Sequence, residues 1–474
     1  MKWSTLLSSD RMRSHRISEN TTDLRSEFEK DYHRIIVSAP FRRLQDKTQV
    51  FPLDQSDFIR TRLTHSLEVS SVSRSLGQNI SQYIIRNIKD PEFDLQMQSD
   101  MCSILQCAGL IHDIGNPPFG HFGETTIRDW FRTHLPRMTF EGKPLDKYLM
   151  PQMVADFYHF EGNAQALRLV TKLHFLEDDI GMNLTYALLN TIVKYPVSSV
   201  QMRPNSTNIK DKKPGYFFAD KDIFEKIQAA CDLKGCRHPL SFILEAADDI
   251  SYLTADIEDA YKKGYFTYRQ FLEELYSDSV LERLTGEERN AYIKIADKLE
   301  KIYHEGKRKN VADPEEYAIS NWIVIVQGFL INCATTGFTQ NYHSIMNGSY
   351  GKDLFAGTMG VVLHDVLGEI AFNIVFTSQS IYKTEIAAAS VLDYLLNKFM
   401  AASLHYDTPY PMTDVQDKLM TLISDNCKAL YHRQSQGKSP QEKLYLRILL
   451  VTDYICGMTD SYAKRLYQEM NGII

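Results

Sequence analysis

The stretch "CAGLIHDIGNPPFGHFGE", residues 107–124, places two histidines and two acids around a bend. Its apolar run ends at His112 and Asp113, and the Gly-Asn-Pro-Pro that follows cannot continue a helix. Adjacent side chains lie about 100° apart on a helix, so both reach one ion only at a place such as a helix end. An imidazole and a carboxylate together suit a divalent transition metal more than calcium. A metal site that faces an anionic substrate would use both this pair and the second pair, His121 and Glu124.

Apolar residues recur at helical spacing through most of the chain. Between residues 63 and 84 they follow steps of four and five, and residues 100–112 and the segment after Pro239 repeat the pattern. Further helices are predicted over 316–335, 359–376, 385–403 and 441–471. Only 216–219 has the alternation of a candidate strand. The sequence therefore predicts an all-α protein.

The composition excludes several classes of protein. No stretch has the roughly 18 uncharged apolar residues of a membrane span, and the N-terminal "MKWSTLLSSDRMRSHR" does not resemble a signal peptide. Seven cysteines are an odd and sparse set, which favours a reducing cytoplasm over a disulfide framework. The net charge of −7 argues against a protein that coats nucleic acid through its overall field. We therefore expect a cytoplasmic protein with no membrane partner.

Three polar loops interrupt the helical pattern, over 198–216, 305–314 and 347–353. The first is long, and its lysines, Lys210, Lys212 and Lys213, are candidates for contact with a substrate or a partner. None of the loops has the composition of a flexible interdomain linker. One helical body with a C-terminal helical extension is the economical interpretation.

A metal site needs ligands from other helices. "RTRLTHSLEV" offers His65, and "EAADDISYLTAD" offers either Asp248 or Asp249. Asp248, Tyr252 and Asp256 lie four residues apart, so one helix face carries two acids and a phenol, a face that is costly to bury without a cation or hydrogen-bond partners. Each of these residues alone has an ordinary structural explanation. The metal site is predicted from the ordered set along the chain, which is His65, then His112 and Asp113, then Asp248 or Asp249. A zinc site at Cys231, Cys236 and His238 is disfavoured because it lacks a fourth ligand.

That ordered set resembles the ligand signature of the HD-domain metal-dependent phosphohydrolases. More narrowly, the chain resembles the bacterial deoxyguanosinetriphosphate triphosphohydrolase (dGTPase, or dNTP triphosphohydrolase) family over residues 31–460. The blocks that carry the resemblance are "DYHRIIVSAPFRRLQDKTQVF", "RTRLTHSLEV", "GLIHDIGNPPFGHFGE", "FEGNAQALRL", "EAADDISYLTADIED" and "DYICGMTD". The resemblance implies an HD-domain helical fold with an N-terminal helical segment (1–61) that contributes to the active site, an HD domain (62–264) and a C-terminal helical region (265–474).

The resemblance also implies the ligands and the reaction. His65, His112, Asp113 and Asp248 would hold a divalent metal, with its identity open between Mn²⁺ and Mg²⁺, and Asp249 would be a supporting acid. Members of the family cleave a deoxynucleoside triphosphate to the deoxynucleoside and intact triphosphate. His121 and Glu124 would form the catalytic dyad, in which the carboxylate orients and charges the imidazole.

A triphosphate carries about four negative charges, so cations must face it. Arg62 is the first candidate, since it lies three residues before His65 on the same helix side. The resemblance adds further substrate-binding residues. These are Lys194 and Tyr195, Tyr252 and Asp256 on the phosphate and sugar side, Gln49 at the deoxyribose 3′-hydroxyl, and Asn163 as the weakest transfer.

Alternatives from two classes stay open at this point. One is an HD phosphohydrolase that acts on another nucleotide, and the other is a regulatory relative that binds single-stranded DNA. The two long blocks around the bend and around Gln49 favour the triphosphohydrolase, and the complete ligand set and dyad argue against an inactive relative. The family also leads us to expect a homo-oligomer, such as a hexamer. Base preference beyond dGTP as the first candidate is not encoded in any motif.

Overall fold

The computed structural model describes residues 1–13, 23–51, 53, 56, 58–174 and 180–473. The first part of the chain forms α1 (Trp3–Leu6), α2 (Glu27–Ile36), α3 (Ala39–Arg43), α4 (Arg62–Tyr83), α5 (Leu95–Ile111) and α6 (Gly120–His134). Turns of 3-10 and π type cover Leu44–Asp46 and Ile84–Ile88. Thr61 caps α4 reciprocally with Thr64, and Asp94 caps α5, so both long helices begin where a side chain accepts their first free N–H groups.

The central part contains a short antiparallel hairpin and six helices. The hairpin pairs β1 (Thr139–Phe140) with β2 (Lys143–Pro144). The helices are α7 (Leu145–Tyr148), α8 (Pro151–Tyr158), α9 (Gly162–Arg168), α10 (Tyr186–Ile192), α11 (Lys221–Ala230) and α12 (Pro239–Lys262), with short turns over Leu169–Leu173, Ile209–Asp211 and Phe218–Asp220. The candidate strand over 216–219 is wrong: Tyr216 makes one isolated bridge to Ser198, and a 3-10 turn follows.

The C-terminal part is helical as well. It contains α13 (Tyr268–Leu275), α14 (Asp278–Leu281), α15 (Gly286–Arg308), α16 (Pro314–Gln340), α17 (Tyr342–Met346), α18 (Val361–Ile370), α19 (Gln379–Ser403), α20 (Asp414–Leu422), α21 (Asp425–Gln434), α22 (Pro440–Cys456) and α23 (Asp460–Met470), with a π turn over Ala371–Phe376. The single helix predicted over 441–471 is broken at Gly457, because Thr459 caps a new helix there. The prediction of an all-α protein is confirmed.

Two apolar clusters hold the helices together. The first lies beneath α4, α5, α12 and α16, and the second is formed by α6, α8, α19 and α22. Arg168 of α9 joins them, since its guanidinium donates to both carboxylate oxygens of Asp453 on α22 at 2.7–3.0 Å. Ile114 of the bend at 112–119 belongs to the first cluster and Phe119 belongs to the second, so the bend lies at the junction of the two clusters.

Helix α16 is the one helix, within the described residues, that is long and apolar enough to cross a membrane by length and composition. Its buried side packs Trp322, Val326, Leu330 and Phe338 into the first cluster. Core helices pass the same test, so one such helix is weak evidence for a membrane span.

Candidate metal centre and catalytic cavity

Three long helices bring the predicted ligands together. His65 comes from α4, His112 follows the last turn of α5, and Asp248 projects from α12. Asp248 Oδ1 lies 3.3 Å from Nε2 of His65 and 3.3 Å from Nε2 of His112. His65, His112 and Asp113 each offer a ligand atom, and these atoms all lie within 4.8 Å of one another. The four predicted ligands therefore form one cluster.

The residues present fit a divalent metal. His112 Nδ1 lies 2.8 Å from the carbonyl oxygen of Gly109, an arrangement in which Nδ1 carries the proton and Nε2 keeps its lone pair. That Nε2 is buried and makes no hydrogen bond within the described part of the chain. A buried imidazole nitrogen without a hydrogen bond, facing two carboxylates, is the donor set of a metal site.

Two cations border the cluster. The Arg62 guanidinium, 1% exposed, donates to Asp113 Oδ2. Lys194 Nζ donates to Asp248 Oδ2 at 2.8 Å. Burial alone would lower the pKa of Lys194, but the Asp248 carboxylate raises it overall, so this side chain stays charged. Arg62 is predicted as a phosphate ligand, and in the structure its guanidinium also holds the carboxylate of Asp113, one of the predicted metal ligands.

The predicted dyad is formed at the start of α6. His121 Nδ1 lies 3.0 Å from Glu124 Oε2, and Glu124 Oε1 accepts the backbone N–H of Gly162 at 2.7 Å. Glu124 is 1% exposed, whereas the His121 side chain is 73% exposed. The carboxylate is therefore held from behind, and the imidazole is presented to the cavity.

The electrostatics of the dyad follow from this contact. The hydrogen bond to Glu124 and the charge of that carboxylate raise the pKa of His121 above its ordinary value. Burial alone would raise the pKa of Glu124, but its hydrogen bond to His121 lowers it overall. Both shifts favour an imidazolium beside a carboxylate, which is a proton donor at the edge of the cavity.

One cavity of about 470 Å³ opens onto these groups. It is lined by all seven predicted substrate-binding residues: Gln49, Arg62, Asn163, Lys194, Tyr195, Tyr252 and Asp256. Asp113, His121 and Asp248 line it as well, with His65, His112 and Glu124 behind. Residues from N-terminal, central and C-terminal parts of the chain thus share one space.

Sequence reasoning missed several residues of the cavity wall. Lys213 is predicted only as one of three loop lysines that could contact a substrate or a partner; it lines the cavity, and its Nζ lies 3.2 Å from Glu161 Oε1. Ile381 and Glu385 reach the cavity from α19, and no local motif marks them. Asp249 also lines the cavity, and its Oδ2 lies 3.6 Å from His364 Nε2 on α18.

His238, which the sequence offers with Cys231 and Cys236 as an incomplete zinc site, makes hydrogen bonds with two other segments. His238 Nδ1 accepts the N–H of Leu240 and thereby caps α12, and its Nε2 lies 3.0 Å from the carbonyl oxygen of Leu6. In the described ranges, the one group of three or more residues with metal-ligand spacing is the cluster at His65, His112 and Asp113.

Gly162 offers a test of how tightly the dyad is packed. A methyl group added there would lie 2.1 Å from Asn116 Oδ1 and 2.6 Å from Glu124 Oε1. We expect Gly162→Ala to displace Glu124, to lower the free energy of unfolding by about 1–3 kcal/mol, and to impair any reaction that uses His121. Urea unfolding and turnover would be measured together. Gly328→Ala on α16, where an added methyl group meets nothing within 4 Å, is the control and should be neutral or slightly stabilising.

Comparison with known proteins agrees with this geometry. The family model described as "HD domain" matches residues 62–182, beginning at the first residue of α4. The chain is 45% identical, over the full length of both proteins, to a deoxyguanosinetriphosphate triphosphohydrolase-like protein of Listeria monocytogenes. It is 34% identical over the full length of both chains to a protein of the same name from Synechocystis. It is 32% identical to the deoxyguanosinetriphosphate triphosphohydrolase of Serratia proteamaculans, with 96% of this chain and 95% of that one covered.

Proposed function

Because this chain belongs to the family of deoxyguanosinetriphosphate triphosphohydrolase-like proteins, we propose that it hydrolyses deoxynucleoside triphosphates to the deoxynucleoside and inorganic triphosphate. dGTP is the first candidate substrate. The observation that carries the proposal is that the His/Asp cluster, the dyad and three cations border one cavity of about 470 Å³.

The cations match the charge of the substrate. Arg62, Lys194 and Lys213 line the cavity, and each is held by a carboxylate, Asp113, Asp248 and Glu161 respectively. A triphosphate of about four negative charges would be a further anionic partner for these three cations. Tyr195, whose ring lies 6.0 Å below Lys213 Nζ, would contact the same end of the substrate.

His65, His112, Asp113 and Asp248 would hold the metal. A divalent ion such as Mn²⁺ or Mg²⁺, when bound there, supplies Lewis acidity at the phosphate and activates a water molecule. Arg62 and Lys194 keep Asp113 and Asp248 ionised and oriented. The carbonyl oxygen of Gly109 fixes the tautomer of His112.

His121 supplies the proton that the reaction needs. When the bond between the α-phosphorus and the 5′-oxygen breaks, the leaving oxygen takes a proton from the imidazolium. Glu124 keeps the ring charged before this step and fixes its orientation. Since Glu124 is itself anchored by the N–H of Gly162, the ring is positioned before the substrate binds.

A further set of cavity residues would contact the deoxyribose of the substrate. Gln49 carries both a donor and an acceptor, which suits the deoxyribose 3′-hydroxyl, and its Oε1 has no hydrogen-bond partner among the described residues. Tyr252 and Asp256 lie one and two turns beyond Asp248 on α12 and would contact the sugar and phosphate side. Asn163, whose Nδ2 donates to Glu161 at 2.8 Å, lies at the Lys213 end.

The test is direct. Purified protein would be incubated with each of the four dNTPs and with Mn²⁺ or Mg²⁺, and the products resolved by anion-exchange chromatography. We expect deoxynucleoside and intact triphosphate in equal amounts. We expect the protein to cleave dGTP in the presence of Mn²⁺, of Mg²⁺ or of both. Pyrophosphate with a deoxynucleoside monophosphate would contradict the proposed bond cleavage. If no single dNTP is cleaved, mixtures of dNTPs would be tried. Absence of hydrolysis in these mixtures as well would favour the alternative of a regulatory protein that binds single-stranded DNA.

The assembly state belongs to the same proposal. From the family resemblance we propose a symmetric homo-oligomer, and a hexamer would elute in size-exclusion chromatography with light scattering at six times the 54.6 kDa of one chain.

A further inference from the structure

A carboxylate from the far end of the chain lies behind the wall of the catalytic cavity. Asp460 is the first residue of α23 and is 2% exposed. Its Oδ1 accepts the backbone N–H of Phe119 at 2.9 Å. Its Oδ2 accepts the backbone N–H of Thr48 at 3.0 Å and also the Thr48 hydroxyl. Three donors from two distant segments thus converge on one side chain.

The first of these segments forms the wall that carries Gln49. Thr48 precedes Gln49, lines the cavity, and forms an isolated antiparallel bridge with Thr61. Thr61 caps α4, the helix that carries Arg62 and His65. A side chain that fixes Thr48 therefore fixes the position of the Gln49 wall relative to α4.

The second segment begins the helix of the dyad. Phe119 also lines the cavity and has φ 63°, in the left-handed region that a bulky side chain occupies only when its surroundings hold it there. Two residues later α6 presents His121. The hydrogen bond from the Phe119 N–H to Asp460 is a contact that holds this turn.

A second tie at the same place supports the geometry. Lys47, next to Thr48, donates from Nζ to the carbonyl oxygens of Asn116 at 2.6 Å and of Cys456 at 2.8 Å. It therefore joins the Gln49 segment, the bend after the metal ligands, and the end of α22. The end of α22 and the start of α23 are therefore each bonded to the segment 47–48, at Cys456 and at Asp460.

We propose that Asp460 is a positioning residue that holds the Thr48–Gln49 wall and the first turn of α6 in one register. The carboxylate sets the distance between the groups that read the substrate sugar and the imidazole of His121. The catalytic role of this register rests on the proposed function, whereas the local anchoring of Thr48 and Phe119 does not.

The first variant is Asp460→Asn, which keeps the shape of the side chain. An amide offers one oxygen acceptor and turns an NH₂ group toward a second N–H donor, so either Phe119 or Thr48 loses its partner. We expect kcat to fall roughly 10- to 100-fold, as for other displacements of a catalytic group by a fraction of its contact distance. Ser461→Ala is the matched control, because the exposed Ser461 hydroxyl contacts only Asp46 in the described structure, and it should behave as wild type.

Variants of Thr48 test the hydrogen bonds between Thr48 and Asp460 separately from the hydrogen bond between Phe119 and Asp460. Thr48→Val removes the hydroxyl but leaves Phe119 bound to Asp460, so we expect a higher KM with a smaller change in kcat. The preference for a dNTP over its 2′,3′-dideoxy analogue should shrink by roughly tenfold, the worth of one hydrogen bond. Thr48→Ser keeps the hydroxyl and should restore both values. A purely structural role would lower stability without this division between KM and kcat.

Hydrogen–deuterium exchange supplies a readout that needs no substrate. In Asp460→Asn, peptides covering 47–50 and 117–122 should exchange faster, while peptides from α15 should be unchanged. The inference would be overturned if Asp460→Asn had the turnover of wild type and the same exchange rates in both peptides. It would also be overturned if this variant lost activity and exchanged faster throughout the chain. If wild-type protein cleaves no dNTP, the proposed function fails, and the exchange measurement still decides whether Asp460 anchors the two segments.

Discussion

Replacing Asp248 by asparagine is expected to abolish metal binding and to lower dNTP hydrolysis by about 10³-fold or more. Asp248 Oδ1 lies 3.3 Å from both histidine nitrogens, so its charge lies at the centre of the ligand cluster. A bound divalent metal contributes several kcal/mol of transition-state stabilisation, and each loss of about 1.4 kcal/mol lowers the rate about tenfold. Metal content by mass spectrometry, Mn²⁺ titration by calorimetry, and turnover would be measured on the same preparation.

Asp249→Asn is the matched control, because it makes the same chemical change one residue further along α12. Asp249 contacts His364 rather than the two histidine ligands, and burial raises its pKa to about 6. We expect this variant to keep the metal. If Asp249→Asn loses the metal and Asp248→Asn retains it, the two roles are exchanged. If both variants retain it, the metal centre lies elsewhere.

The parts of the site that the sequence predicted are those encoded locally. Pro117 and Pro118 cannot continue the helix that precedes them, so an adjacent pair of candidate ligands at its end could be recognised without the fold. His121 and Glu124 are three residues apart on the next helix, and their contact follows from helical geometry alone. The all-α architecture was encoded in the same way, by periodicity within each segment.

The parts that the sequence did not predict depend on contacts between distant segments. Glu385 reaches the cavity from α19, and Asp460 reaches its wall from α23, and no spacing relates either residue to the metal ligands. The break between α22 and α23 was missed because apolar periodicity continues on both sides of Gly457. That break is what directs Asp460 toward Thr48 and Phe119.

Asp248 and Asp249 are neighbouring acids on α12 that differ in their surroundings. Neighbouring acids on a helix are equivalent to any argument from spacing, and only the family resemblance favoured Asp248. The fold separates them by about 100° around α12, so that one faces the histidines and the other faces α18. Position on the helix, not residue type, distinguishes the two acids.

His121→Ala is expected to lower kcat by about 10²- to 10⁴-fold while metal content and KM stay close to the wild-type values, because the variant removes a proton donor and no ligand. His134→Ala is the control on the same helix, since His134 lies in the last turn of α6 and stacks on Trp130 outside the cavity lining. Turnover of His121→Ala within tenfold of wild type would assign the proton transfer to another group.

Glu124→Gln tests how the dyad is tuned. Glu124 raises the pKa of His121, and a general acid must be protonated, so wild-type activity is present below that pKa and is lost as the pH rises through it. Glutamine can still accept a hydrogen bond but carries no charge, so the pKa of His121 should fall toward its ordinary value. The alkaline limb of the kcat profile should then move to lower pH, and activity should be lost at a pH where wild type is still active. If the alkaline limb of the kcat profile stays at the wild-type pH and only the maximal kcat is reduced, Glu124 orients the ring of His121 without setting its charge.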